Sequence, residues 1–125
     1  MLANITRIFI LTAGLAVLVP VTASAGDSAA GKVIFDTNCT TCHGMLGKGD
    51  GVLSAALPIK PRDLSSGEFK FDTDGDGKPG TDDDLKNVIV QGAAAFGGSP
   101  LMAPWSALAD ADVANVIAYI RTLSK

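Results

Sequence analysis

The chain has 125 residues, 47% of them apolar, with two cysteines, one histidine and a net charge of −3. That length holds one domain, and two cysteines cannot staple a disulfide-rich scaffold. The excess of acids argues against nucleic acid as a partner, and a lone histidine excludes any centre that needs two imidazoles.

Met1 to Ala25 is expected to be a cleaved secretory signal, leaving 26–125 as the working domain. Arg7 supplies the positive start, Ile8 to Val19 an apolar run, Pro20 a break, and Ala23-Ser24-Ala25 a small-x-small cleavage site. The run of twelve falls short of the roughly 20 residues a membrane span requires, so no span is expected in the mature protein. The segment holds one base and no acid, which leaves the remaining hundred residues at −4.

Asp27 to Asp36 has the spacing of a short helix, with Ala29, Ala30, Val33 and Ile34 recurring on one face. Gly44, Gly47, Gly49 and Gly51 then predict a loop. Val52 to Leu57 has room for one helical turn before Pro58 and Pro61 impose extended backbone. Asp72 to Asp84 is a second loop, after which Asp82 or Asp83 is positioned to cap a helix carrying Leu85, Val88 and Ile89. Gly92 suits the end of that helix. Gly92 to Pro104 predicts another loop. Val113, Val116, Ile117, Ile120 and Leu123 define a last helix over about Asp110 to Leu123, with acids at its start and Arg121 near its end. No strand pattern competes, so the domain is expected to be small and all-α.

The chemistry is concentrated in Cys39-Thr40-Thr41-Cys42-His43. This is the C-x-x-C-H spacing of covalent haem attachment. Two thiols three residues apart can each add to one vinyl group of a porphyrin, and the next residue, His43, then reaches the iron. Three other readings compete. A disulfide fits an oxidising compartment. A thioredoxin-like pair needs a βαβ setting, which is missing. A zinc site needs a fourth ligand, and no further Cys or His exists. A second axial ligand follows by elimination. Met45 lies two residues from His43 and cannot cross the ring, whereas Met102, in a Gly-rich stretch before Pro104, can. A core gap-filling role is the plain alternative for Met102, but a thioether suits the haem iron of an electron carrier.

On these residues the sequence resembles the class I c-type cytochromes in their bacterial monohaem form, over essentially 27–125. Gly31 and Phe35 match the Gly/aromatic pair of that family's first helix, Tyr119 the aromatic of its last, and Met102-Ala103-Pro104-Trp105 its distal segment. The resemblance implies a small cytochrome c fold of about 4–5 helices around one covalent haem c, with the N- and C-terminal helices packed across each other. It also implies that Pro61, in Pro61-Arg62-Asp63-Leu64, offers the carbonyl that accepts the free N–H of His43, with Pro58 as the alternative.

Asp72-Thr73-Asp74-Gly75-Asp76-Gly77 matches the start of an EF-hand loop, with Asp83 at position 12. Asp is shorter than the usual Glu there, and Pro79 stands where a pairing apolar residue belongs. The favoured reading is a solvated loop whose acids cap the next helix. The alternative is a calcium loop with Asp72, Asp74, Asp76 and Asp83 as ligands.

The function expected from all this is one-electron transfer by a periplasmic carrier, or by the small cytochrome subunit of a respiratory or dehydrogenase complex, and not enzymatic catalysis. The acidic balance favours redox partners with a basic docking patch. The alternative is a haem enzyme or gas sensor with an open distal site, should Met102 not bind the iron.

Overall fold

Asp27 starts the first helix from outside it. Its carboxylate accepts the backbone N–H of Ala29 at 2.8 Å and of Ala30 at 3.2 Å, two of the donors that a helix start leaves without partners. Helix α1 therefore runs Ser28–Asn38, shifted from the expected Asp27 to Asp36 because Asp27 caps it. The structure is a computed structural model that describes residues 25–124. All but the last residue of the expected export signal lies outside the described residues.

Helix α2, Thr40–His43, is a single turn. A 3₁₀ turn at Ser54–Ala56 occupies the middle of the expected Val52–Leu57 turn, and no regular element follows until Thr81. Helix α3 spans Asp82–Gln91. Its cap is Thr81, not Asp82 or Asp83: the Thr81 hydroxyl accepts the Asp84 N–H, and the Asp84 carboxylate accepts the Thr81 N–H. This reciprocal pair satisfies both groups at once, leaving Asp82 and Asp83 exposed in the first turn, beside the positive end of the helix dipole. Gly92 ends α3 at φ 81°, a conformation that favours glycine. A second 3₁₀ turn, Ala93–Phe96, follows. Helix α4 runs Asp110–Leu123, with the bounds its periodicity predicts. The described residues thus form four α-helices and no strand.

Helices α1 and α4 cross at glycine. A Cβ on Gly31 would collide with the backbone carbonyl of Asn115, and one on Gly26 with that of Ala114. The bare backbones let the helices touch, and the Asp27 N–H donates to the Asn115 side chain at 2.7 Å beside the crossing. One turn on, the fully buried Phe35 meets Tyr119 edge to face, ring centroids 5.2 Å apart. Val113, Val116, Ile117 and Ile120 of α4 join Leu85 and Ile89 of α3 in the same core, with Leu64 from the intervening loop. Burying each such side chain contributes roughly 1.5–3 kcal/mol.

Two ion pairs tie α3 to α4. Arg121 donates to the Asp82 carboxylate at 2.7 and 2.9 Å and to the Gly80 carbonyl at 2.7 Å, while Lys86 pairs with Asp110 at 3.1 Å. Both pairs are partly exposed, so they orient the helices more than they stabilise them. No helix among the described residues is long and apolar enough to cross a membrane.

Candidate functional site

Cys39 joins α1 to α2, and the turn Thr40–His43 follows it directly. Helical geometry puts positions i, i+3 and i+4 on one face, which places Cys39, Cys42 and His43 together. Gly44, at φ 79°, ends the turn. The glycine loop then folds back over α2: Gly49 N–H donates to the His43 carbonyl at 2.8 Å, Gly51 N–H to the Cys42 carbonyl at 3.1 Å, and Leu53 N–H to the Thr41 carbonyl at 3.0 Å. A four-residue helix cannot satisfy its own carbonyls, and this loop does it instead. Gly51 is required there, because a Cβ would strike the Thr40 and Thr41 carbonyls.

His43 Nδ1 donates to the Arg62 carbonyl at 3.1 Å. A carbonyl only accepts, so the proton sits on Nδ1 and Nε2 is left with its lone pair free. The carbonyl that the family resemblance implied was that of Pro61, one residue earlier. In the structure Pro61 turns its carbonyl toward Gly49 instead, because residues after a proline break have no periodic register to fix which oxygen points inward. Burial lowers the pKa of His43, opposed by the Arg62 carbonyl, and the neutral ring is the form that binds metals. Burial and the neighbouring Cys42 push the Cys39 thiol up to about 11. No disulfide joins Cys39 to Cys42. A thiol raised in this way is poorly suited to disulfide exchange, which favours a lowered pKa.

Met102 lies in the loop between α3 and α4. The Ala93 N–H donates to the Met102 carbonyl at 3.3 Å, the Met102 N–H to the Ser99 carbonyl at 3.2 Å, and the Trp105 N–H to the Ile89 carbonyl at 2.9 Å. Gly92 lets this loop close on α3, since its missing Cβ faces the Met102 carbonyl and Pro104. Met102 is half-buried and packs against the core.

Cys39, Cys42, His43 and Met102 line one cavity of about 480 Å³, walled largely by Phe35, Leu85, Ile89, Trp105, Val116 and Ile120. Its volume and apolar walls are those of a cofactor site. Two thiols, one imidazole with Nε2 free and one thioether form a donor set that fits a covalently attached haem. Tyr119 does not line the cavity and packs on Phe35.

Exposed residues in the cavity wall mark its opening. They include Lys60, Arg62 and Lys70 against the single acid Asp63, with Ile59 and Leu101 half-exposed among them. The acids at Asp72, Asp74, Asp76, Asp82 and Asp83 lie outside this set. The opening is therefore locally basic, the reverse of what net charge alone implied for a docking partner.

In the acidic loop, Asp72 accepts the N–H groups of Gly75, Asp76 and Gly77, and Asp76 that of Lys78. The structure brings the carboxylates of Asp72, Asp74 and Asp84 within 4.8 Å of one another, without Asp76 or Asp83. The proposed calcium set is thus not assembled as the motif implied. Position 12 points outward, because the capping box with Thr81 draws in Asp84 instead. The signal for Asp84 is a threonine three residues before an acid and an apolar residue, the capping signature.

The family model described as cytochrome c matches residues 28–124. Cytochrome c-554(547) of Halothiobacillus neapolitanus is 34% identical over 100 residues, covering 79% of this chain and 99% of that protein. Cytochrome c6 of Picosynechococcus is 34% identical over 103 residues, covering 78% of this chain and 74% of that one. Among solved structures, a chain of the reducing HAO-like protein complex of Kuenenia stuttgartiensis superposes with a TM-score of 0.66 at 32% identity. It covers 81% of this chain, which spans 44% of that one.

Proposed function

Since the chain belongs to the cytochrome c family, we propose that it carries single electrons between redox proteins through one haem c. When bound, that haem supplies a ferric/ferrous couple. Cys39 and Cys42 would hold it by thioether bonds, and His43 Nε2 and Met102 Sδ would be its axial ligands. One observation carries this reading: the two thiols and the imidazole of the Cys39–His43 turn and the thioether of Met102, 59 residues after His43, line the same apolar cavity.

The residues divide the work. The Arg62 carbonyl fixes the His43 ring and its tautomer, which steadies the ligand through the redox cycle. The Met102 loop, pinned to the second 3₁₀ turn through Ala93 and to α3 through Trp105 and Ile89, presents a thioether of the kind that raises haem potentials. The core side chains would give the haem apolar surroundings. The basic opening around Ile59 and Leu101 would receive a redox protein with an acidic patch. Export to the periplasm, from the Met1–Ala25 pattern, and loss of those residues accompany this reading. The likeness to a chain of the HAO-like complex supports a place as the small electron-transfer part of a larger assembly.

Replacing Met102 by Ala tests it. The variant should bind carbon monoxide in the reduced state and lose potential relative to the wild type. Unchanged ligation and potential would remove Met102 from the iron and favour the open-site reading of an enzyme or gas sensor.

A further inference from the structure

Asp84 is the one charged residue buried among the described residues, 1% exposed. It belongs to the cavity wall, on the same helix as Leu85, Val88 and Ile89, which also line it. Thr73 donates to one of its oxygens through N–H and hydroxyl, at 2.5 and 2.7 Å. Thr81 donates to the other in the same two ways, both at 2.9 Å. All four donors are neutral. Among the described residues no lysine or arginine pairs with it. The hydrogen bonds therefore fix the charge in place without cancelling it. They also hold its carboxyl well below the usual carboxylate range, the Thr73 N–H first among them, so it stays ionised at any working pH.

Resting on the reading that this cavity holds haem c, we propose that Asp84 is a positioned negative charge that lowers the protein's reduction potential. Giving up one electron to the partner leaves one more positive charge in the cavity. An anion in the wall favours that oxidised state over the reduced one, and solvent screens a covered anion less than an exposed one. Asp72 and Asp74, within 4.8 Å of Asp84, add charge of the same sign. Asp84 thereby opposes the upward pull of a thioether ligand and sets the working value between the two.

A purely structural role makes the opposite prediction. If Asp84 only tied Thr73 to Thr81, its loss would loosen the wall and admit water, which favours the oxidised state and lowers the potential.

The test is a spectroelectrochemical titration of the haem-loaded protein. Asp84→Asn should raise the midpoint potential, and the rise should persist at high salt. Thr73→Val removes one donor and keeps the charge, so it should give no rise. Asp110→Asn changes the net charge equally at an exposed site paired with Lys86, outside both the cavity wall and the Asp72, Asp74 and Asp84 cluster, and should leave the potential unchanged. Asp74→Asn should give a smaller rise, and it carries the test if Asp84→Asn fails to load haem. A potential that is unchanged or lowered in Asp84→Asn, a rise of equal size in Asp110→Asn, or no rise in Asp74→Asn when it alone can be measured would overturn the proposal. A wild-type protein without a c-type spectrum would instead overturn the haem reading beneath it.

Discussion

Single atoms decide the outcome at several positions. Gly31 is a glycine because α4 passes where its Cβ would be, against the Asn115 carbonyl. Gly31→Ala should cost about 1–3 kcal/mol, as overpacking does, seen as a lower midpoint in urea unfolding of the holoprotein. An unchanged midpoint would mean that the helices can separate freely. Phe35→Ala empties the most buried side chain of the same crossing and should cost roughly 3–5 kcal/mol. Asp84 links a residue to pH. Its folded pKa lies below the unfolded value of about 3.9, so the stability it contributes is complete above that value and is lost as the pH falls toward the folded one. Thermal melts of the wild type and Asp84→Asn should be furthest apart near neutral pH and converge in acid. A separation that grows in acid would contradict this.

At the scale of elements, legibility follows periodicity. Helix α4 has the bounds the sequence predicts, because an uninterrupted i, i+3, i+4 stripe and charges at both ends specify one answer. The turn with Cys39, Cys42 and His43 is proposed as the haem site for a different reason: three chemically unusual residues at fixed spacing permit few alternatives. The loops were not legible to one residue. Arg62 rather than Pro61 faces His43, and Asp84 rather than Asp83 turns inward. No repeating pattern records which way an isolated carbonyl or carboxylate points, and in both places a local hydrogen bond settles it. The capping box makes this testable. Thr81→Ala removes the acceptor for the Asp84 N–H and should lower stability by about 1 kcal/mol, read as a fall in the thermal midpoint, whereas Thr81→Ser should restore most of it.

For the molecule as a whole, charge placement outweighs charge total. Six of its thirteen acids lie between Asp72 and Asp84, and of those only Asp84 lines the cavity, whose opening carries Lys60, Arg62 and Lys70. An acidic protein thus presents a basic face where electrons would leave. The rate of oxidation by hexacyanoferrate(III), an anion, should fall as salt is raised, because screening weakens the local attraction. A rate that rises with salt would show that net charge governs the encounter.

A single haem c bound by His43 and Met102 in a closed site would leave its own optical signature. The visible absorption spectrum of the mature protein, oxidised and reduced, with and without carbon monoxide, tests it most directly. The expected result is a c-type spectrum, a methionine–ferric charge-transfer band that Met102→Ala abolishes, and no response to carbon monoxide. A spectrum that shifts with carbon monoxide would contradict the closed site, and a protein without haem would contradict the whole reading.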